Sequence, residues 1–244
     1  MSEPASAALE SELAAAIAAS AGTPLGRGYQ ASVHVYATSA GAIVVKMPHG
    51  GGPLGWLRRA LLRREGAVYE RLAGIRGVPR SFGVVAGRYL ALQYVEGPSL
   101  REYEALIADR EAFFEKLRRT LEAMHAAGVA HADLKRKDNV IVGAGEEPYL
   151  IDFGIAARRS AGSTLWNRLV FEPLVHMDLN AWIKLKYGRR VDPETEHGVL
   201  SAADAALYRP LLIERVARAL RVPWQALTLR RARQRWRARR APPP

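Results

Sequence analysis

The order of apolar and polar positions in residues 24–48 predicts two or three short strands separated by Gly-rich turns. The clearest strand is Ala42–Met47, in which every second residue is apolar and would face a core. Lys46 and Val44 then lie on the opposite face of that strand. The predicted core-facing residues are Ile43, Val45 and Met47.

A Gly- and Pro-rich loop at residues 49–55 precedes a segment with helical spacing, residues 57–73. One face of this helix carries Leu61, Glu65, Tyr69 and Leu72. Glu65 is the one acid in an otherwise apolar stripe, and a charge directed inward needs a compensating partner. We therefore expect Glu65 to form an ion pair.

The rest of the chain is predicted to be mainly helical, with one inserted hairpin. A strand at residues 88–95 ends at Glu96–Ser99, and a helix whose apolar face includes Phe113 and Met124 stops near Gly128. Residues 140–142 and 149–151 predict the hairpin, and Ser201 is a candidate cap for a helix reaching Leu220.

These elements predict an α+β fold with a strand-rich first third. The expected parts are an N-terminal helical extension (1–23), a sheet-rich lobe (24–95), a helical lobe (96–228) and a basic tail (229–244). We expect residues 1–22 to form a surface helix rather than an export signal, because acids stand where a basic run would be required.

Composition excludes several kinds of chemistry. The 244 residues include no cysteine, which rules out disulfides, thiolate zinc sites and a cysteine nucleophile. Nowhere do about 18 apolar residues follow one another without a charge, so nothing predicts a membrane-spanning helix. We expect a soluble, cytoplasmic protein, with the inner membrane face as a second location.

The formal net charge of +12 is concentrated at the C-terminal end. Seven arginines lie between residues 230 and 240, around Trp236 and before a Pro tail. Such a tail could bind an anionic membrane surface or, less favoured, nucleic acid. A solvated helix end is an equally good interpretation.

The strongest chemical signal is the segment His131–Asn139, followed by the hairpin and then by Asp152–Gly154. Asn139 stands before the outgoing arm and Asp152 after the returning arm. Antiparallel pairing would bring both to the open end of the hairpin, with Asp133 facing the same end. A few oxygen ligands completed by water and phosphate suit Mg²⁺.

These segments resemble the H-R-D-L-K-x-x-N and D-F-G motifs of the protein kinase superfamily. The resemblance implies a two-lobed fold, with a small antiparallel sheet and one helix before an abbreviated helical lobe, and the cofactors ATP and Mg²⁺. It implies that Asp133 orients the acceptor hydroxyl, Lys135 neutralises phosphate charge, and Asn139 and Asp152 bind magnesium. One additional residue precedes Asn139, so Asp138 is a rival ligand.

The first third resembles the same family. Residues 25–33 approximate its Gly-rich phosphate loop, which implies that Gly26, Gly28 and Val33 cover the nucleotide. Lys46 resembles the lysine that contacts the α- and β-phosphates, with Glu65 as its partner. The hinge between lobes resembles residues 90–97, where backbone groups near Gln93 and Val95 would meet adenine and Leu92 would be the gatekeeper.

The later sequence departs from eukaryotic protein kinases. Ala132 replaces the Arg of the motif, and no A-P-E triplet follows Gly154 in the expected interval. The layout is similar to RIO-like serine/threonine kinases, and alternatively to bacterial lipopolysaccharide core sugar kinases. The acceptor is thus expected to be a protein or a lipopolysaccharide-sugar hydroxyl, with a pseudokinase as a third alternative. Asp178 is predicted to brace the catalytic loop or cap a helix.

Overall fold

The computed structural model describes residues 7–27, 31–188 and 200–209. The strands are β1 (Thr23–Arg27), β2 (Ala31–Thr38), β3 (Gly41–Pro48), β4 (Ser81–Val85), β5 (Tyr89–Gln93), β6 (Val129–Ala130), β7 (Val140–Gly143), β8 (Glu147–Leu150) and β9 (Ala157–Arg158). The α-helices are α1 (Ala7–Ala18), α2 (Gly52–Arg71), α3 (Leu100–Tyr103), α4 (Arg110–Ala126), α5 (Thr164–Trp166), α6 (Glu172–Lys186) and α7 (Ala202–Leu207). A π-helical turn, Asn167–Phe171, joins α5 to α6.

The first five strands form one antiparallel sheet in the order β1-β2-β3-β5-β4. The predicted faces of β3 are confirmed, because Ile43 and Val45 are fully buried on one side while Lys46 lies on the other. Strand β4 was not predicted. It is short, and its register with β5 shifts between Ser81 and Gly83, so it lacks a clean alternation.

Helix α1 covers one face of this sheet. Leu9 and Leu13 are buried and pack with Tyr36, Ile43 and Phe82 in a core cluster. The prediction of a surface helix was therefore wrong in part, since α1 contributes to a core. A weakly amphipathic, Ala-rich segment can dock with only two large side chains.

Helix α2 packs against β3, β4 and β5. It begins at Gly52, with Pro at the start of its first turn, and not at Leu57 as predicted. Proline tolerates that position because its missing N–H would have no helical partner there. The expected buried stripe is present and includes Glu65, Tyr69 and Leu72.

A second core cluster is built around α4 and α6 and extends to α2 and β5, through Tyr69 and Leu90 among others. The predicted apolar face of α4 is buried from Phe113 to Met124, and Trp182 of α6 packs in the same cluster. Asp109 caps α4 by accepting from the Ala112 amide at 2.9 Å. The helix stops before Gly128, whose φ is +76°.

The predicted hairpin is observed as β7 and β8, with Val140 paired to Leu150. Ser201 caps α7 by accepting from the Asp204 amide at 3.1 Å, but the helix ends at Leu207. Residues from 210 onward, including the Arg-rich tail, lie outside the described residues. Among the described residues, none of the helices combines the length and the hydrophobicity of a membrane-spanning segment.

A tight connection joins the sheet to the hairpin. The Tyr94 amide donates to Ala42 at 3.1 Å, and the Val142 amide donates to the Pro98 carbonyl at 2.9 Å. Between them Gly97 has φ +149°, and a Cβ there would lie 2.0 Å from the Val142 carbonyl oxygen. Only glycine allows this approach, which positions β7 against the end of β5.

Candidate active site

A cavity of about 400 Å³ lies where the sheet, α2 and the loops around β7 and β8 meet. It is lined on the sheet side by Val33 and Lys46, and by Asp133 and Asp152 from the loops. The remaining lining residues are Ala31, Pro48, Arg58, Leu61, Leu62, Glu65, Arg136, Gly154 and Ile155. Its volume falls in the range of small-molecule sites, about 300–1,000 Å³.

Lys46 connects three elements at the inner side of this cavity. Its Nζ lies 2.6 Å from Glu65 Oε1 and 3.3 Å from Asp152 Oδ1. The side chain of Lys46 is 15% exposed and that of Glu65 5%, whereas Asp152 is half-exposed. The inward acid of α2 thus has the partner that the sequence predicted.

The charges of this cluster reinforce one another. Burial by itself lowers the pKa of Lys46, but the Glu65 and Asp152 carboxylates outweigh it and raise that pKa above its ordinary value. Burial raises the pKa of Asp152, yet the Lys46 ammonium holds it below its ordinary value. Lys46 and Asp152 are therefore both charged at neutral pH.

Aromatic contacts hold the loop that carries Asp152. Asp152 has a backbone φ of +66°, and its backbone amide donates to the Tyr69 hydroxyl at 3.2 Å. The Phe153 ring lies 4.9 Å, centroid to centroid, from both Tyr69 and His131. His131 Nε2 bonds to the Ile151 carbonyl at 3.0 Å. These contacts offset the cost of an unusual backbone conformation and give His131 a structural role.

Arg64 of α2 makes a further contact to this loop that sequence reasoning missed. Its guanidinium donates to the Ala156 carbonyl at 2.5 Å and to the Gly154 carbonyl at 3.4 Å. Arg64 precedes Glu65, so one turn of α2 binds both Lys46 and the backbone after Asp152. Backbone carbonyls give no sequence signal, which explains why this contact could not be predicted.

Asp133 and Asn139 meet at the open end of the hairpin. The Asn139 amide group donates to the Asp133 carbonyl at 3.1 Å and approaches its carboxylate at 3.5 Å. The Ile151 amide donates to the Asn139 carbonyl at 3.0 Å, which ties this loop to the one carrying Asp152. The structure therefore brings together the residues that the hairpin argument placed together.

Asp138, the rival of Asn139, is engaged elsewhere. Its two carboxylate oxygens accept from the Arg101 guanidinium at 2.6 and 2.9 Å. The Arg101 hydrogen bond lowers the pKa of Asp138 below its ordinary value. Asn139, in contrast, is buried and directed at Asp133.

Asp178 braces the loop of residues 131–139, the predicted catalytic loop, which is one of its two predicted roles. Its carboxylate accepts from the His131 amide at 2.7 Å and from the Ala132 amide at 2.9 Å. His125 Nε2 lies 3.1 Å from the same group. The capping role was wrong, because Asp178 lies in the interior of α6. Ala132 has φ +68°, so the brace also holds a strained residue.

The other predicted site residues lie on several separate elements. Gly26 of β1 pairs with Val33 of β2, whereas Gly28 lies outside the described residues. Gln93 ends β5, and its amide donates to the Arg80 carbonyl at 2.8 Å. Val95 follows in the connection and is partly buried. Lys135 is exposed on the loop after Asp133.

Two cavity arginines were also not predicted. Arg58 lines the cavity from α2 and donates to the His49 carbonyl at 3.0 Å. Arg136 lines it from the catalytic loop, with its guanidinium 3.8 Å from the Asp133 carboxylate. The additional residue before Asn139 indicates that the geometry of this loop differs from the motif. It does not indicate which side chain enters the cavity.

The oxygen donors at this site suit a hard cation only with added ligands. Asn139 offers a carboxamide and Asp152 a carboxylate, and Mg²⁺ accepts such a pair together with water and phosphate oxygens. Among the described residues no group of three or more His, Asp or Glu side chains is placed to hold a metal ion. A carboxamide together with a carboxylate is a donor set that fits a magnesium–nucleotide site.

The amino-acid sequence of this chain is similar to those of several proteins named as kinases. The chain is 36% identical over 168 residues to the rice (Oryza sativa subsp. japonica) protein named "Putative cyclin-dependent kinase F-2", covering 59% of this chain and 51% of that protein. It is 35% identical over 109 residues to the serine/threonine-protein kinase PknD of Mycobacterium tuberculosis, covering 42% and 16%. PknE of the same species is 34% identical over 106 residues, covering 41% and 19%.

No protein-family model matches the chain. The chain spans about half the length of the rice protein and less than a fifth of the two mycobacterial kinases. These three relatives are protein kinases by name, and the fold has the expected antiparallel sheet followed by helices. The sequence similarity and the two-lobed α+β fold together support a place for this chain in the protein-kinase-like superfamily.

Proposed function

We propose that this chain is an ATP-dependent phosphotransferase that moves the γ-phosphoryl group of Mg·ATP to a serine or threonine hydroxyl of a protein. The observation that carries the proposal is the cluster around one cavity. Lys46, paired with Glu65, reaches Asp152 from the sheet side, while Asp133 and Asn139 meet on the loop side. Positive and negative groups are thus arranged for a polyphosphate with its metal.

The nucleotide would lie between the sheet and the catalytic loop. Gly26 and Val33 would cover it, with Gly28 completing the turn, and Lys46 would contact its phosphates. The backbone near Gln93 and Val95 would meet the adenine edge. The backbone amide of Gln93 already donates to the Arg80 carbonyl. The backbone carbonyl of Gln93 and the backbone amide of Val95 are therefore the groups that would bind adenine.

Asn139 and Asp152 would hold magnesium, with Asp138 the less suitable ligand because Arg101 occupies its carboxylate. The bound ion would neutralise charge on the phosphate oxygens during transfer. Lys46 keeps the Asp152 carboxylate ionised and oriented. The Tyr69 hydroxyl fixes the backbone from which that carboxylate projects.

Transfer would be direct and in line, with no covalent intermediate on the protein. Asp133 would accept a hydrogen bond from the acceptor hydroxyl and take its proton as the oxygen attacks the γ-phosphorus. The bond from that phosphorus to the β,γ-bridging oxygen breaks, and ADP leaves. The Asn139 amide group holds the Asp133 backbone, and Asp178 braces the loop on the other side. Lys135, exposed beside Asp133, would neutralise charge on the moving phosphoryl group.

The finer assignment is a RIO-like serine/threonine kinase. Its support is the short stretch after Asp152, since only residues 153–171 precede α6, which carries Asp178. Little chain remains there for a peptide-binding platform. A lipopolysaccharide core sugar kinase and a nucleotide-binding pseudokinase are the alternatives. Membrane or nucleic-acid binding by residues 229–244 stays a prediction from charge, because those residues lie outside the described part.

The test is phosphate transfer from labelled Mg·ATP by wild type and Asp133→Asn. Asp138→Asn is a matched control, because it makes the same chemical change five residues away. We expect Asp133→Asn to lower transfer about 10²–10⁴-fold with little change in ATP affinity, and Asp138→Asn to retain activity. A generic protein and lipopolysaccharide core sugar are offered in parallel as acceptors.

Label on protein alone would support the serine/threonine kinase, and label on the sugar alone would select the lipopolysaccharide alternative. Measurable ATP binding without transfer to either acceptor would favour the pseudokinase. Transfer that does not depend on Asp133 would contradict the mechanism itself.

A further inference from the structure

Exposed large hydrophobic side chains are not scattered over the described residues. Nine such side chains are exposed, and eight of them lie in two stretches without any Asp or Glu, residues 13–64 and 153–171. The ninth, Leu106, lies close in sequence to Glu102 and Glu104. Apolar exposure therefore coincides with local positive charge, which chance scatter does not predict.

The start of α2 concentrates these features. Leu54 is 57% exposed, Trp56 63% and Leu57 47%. Arg58 and Arg59 follow directly, and the first turn of the helix contains no acid. We call these five residues the α2 anchor. A Trp and two Leu beside two Arg is the composition of segments that lie at a membrane interface.

The α2 anchor is held in place by its own backbone. Between its exposed members Gly55 is buried, and a Cβ there would lie 2.5 Å from the Gly50 carbonyl oxygen. The Arg58 guanidinium also donates to the His49 carbonyl. The preceding loop is thus packed against the first turns of α2, and the three apolar side chains are left on the outside.

The α2 anchor adjoins the cavity. Arg58 belongs to both, and Ile155, another exposed apolar residue, lines the cavity as well. Arg64 joins α2 to the second acid-free stretch through the carbonyls of Gly154 and Ala156. That stretch carries further exposed side chains at Leu165, Trp166 and Leu169 beside Arg168.

We propose that the α2 anchor docks on the surface of an anionic phospholipid bilayer. Trp56, Leu54 and Leu57 insert among the headgroups, and Arg58 and Arg59 bind lipid phosphates. Charge complementarity selects this partner, because the acid-free stretch offers no carboxylate to repel a negative surface. Docking there places the cavity beside the membrane. This inference does not depend on the Arg-rich tail or on phosphate transfer.

The experiment measures co-sedimentation of the full chain with phosphatidylglycerol/phosphatidylcholine vesicles and with phosphatidylcholine vesicles. Wild type should bind the anionic vesicles preferentially. Trp56→Ser with Leu57→Ser, and separately Arg58→Gln with Arg59→Gln, should each weaken binding about tenfold or more. Leu106→Ser is the matched control, since it removes an equally exposed Leu outside the acid-free stretches and should leave binding unchanged. All variants keep residues 229–244, so differences report the anchor.

A second readout places Trp56 in the interface. Vesicle addition should shift the tryptophan emission of wild type to shorter wavelength, and Trp56→Phe should lose most of that shift while still binding. Unchanged binding of the Trp56→Ser, Leu57→Ser variant, or equal binding to neutral vesicles, would overturn the proposal. Concentration-dependent dimerisation abolished by the same variant would instead assign the anchor to a second copy of the chain.

Discussion

Asp178→Ala should destabilise the fold severely by removing the brace of the catalytic loop. The Asp178 side chain is 1% exposed and accepts from two backbone amides, those of His131 and Ala132. Alanine leaves both amides without an acceptor and leaves His125 without its partner. No other carboxylate among the described residues is seen to contact these amides.

The expected magnitude follows from those lost partners. An unsatisfied buried polar group costs about 1–3 kcal/mol, so two amides cost about 2–6 kcal/mol. A domain has a total free energy of unfolding of only about 5–15 kcal/mol. The loop also loses the contact that holds Ala132 at positive φ. Asp178→Ala should therefore unfold at much lower urea concentration, and catalytic activity should fall with it.

Urea unfolding followed by circular dichroism measures this change. Asp138→Ala is the control, because Asp138 also accepts two short hydrogen bonds but from an exposed arginine in water. Exposed ion pairs contribute little, so the control should unfold close to wild type. Equal loss of stability in the two variants would show that burial of the brace is not what matters, and would refute the reasoning.

Three further predictions concern the charged cluster. Asn139→Ala should abolish magnesium-dependent transfer, whereas Asp138→Ala should keep it. The measurement is kcat of each variant as a function of Mg²⁺ concentration. The reverse result would assign the magnesium ligand to Asp138. Glu65→Gln should lower kcat/KM for ATP about 10- to 100-fold by removing the charged partner 2.6 Å from Lys46, and unchanged steady-state kinetics would contradict this. Burial raises the pKa of Asp152, but Lys46 outweighs burial and lowers that pKa below 3.8. The Lys46–Asp152 ion pair therefore stabilises the fold fully above pH 3.8, and this stabilisation is lost as the pH falls through the lowered pKa. Unfolding measured from acid to neutral pH should show a weaker acid-side dependence in Lys46→Met, and parallel curves would refute it.

Local patterns in the sequence determined much of the candidate site. The alternation in β3 is enough to place Lys46 opposite Ile43 and Val45, because side chains of a strand alternate strictly. Asn139 and the loop of Asp152 are predicted to lie close together, because antiparallel arms of equal length return the chain to its starting point. The helical period of α2 identified Glu65 as an inward charge. Each inference needs only neighbours along the chain.

Other features depend on residues far apart in sequence, and only the tertiary structure decided them. Asp138 and Asn139 are adjacent and chemically similar, yet Arg101 engages one carboxylate while the other side chain turns to Asp133. Asp178 becomes a brace because α6 passes behind the catalytic loop, which helical spacing alone cannot show.

Contacts between distant residues also explain why α1 is partly buried and not a surface helix as predicted. They likewise leave the α2 anchor exposed at the start of a helix. The sequence by itself determined the strand-rich first third, the β7–β8 hairpin, the faces of β3 and α2, and the acidic, amide and lysine residues of the candidate site. Tertiary packing decided which polar group each side chain meets, that Leu9 and Leu13 are buried, and that Trp56 is not. The physical reason is that periodicity specifies which side of an element is apolar, whereas burial and pairing depend on which distant element packs against that side.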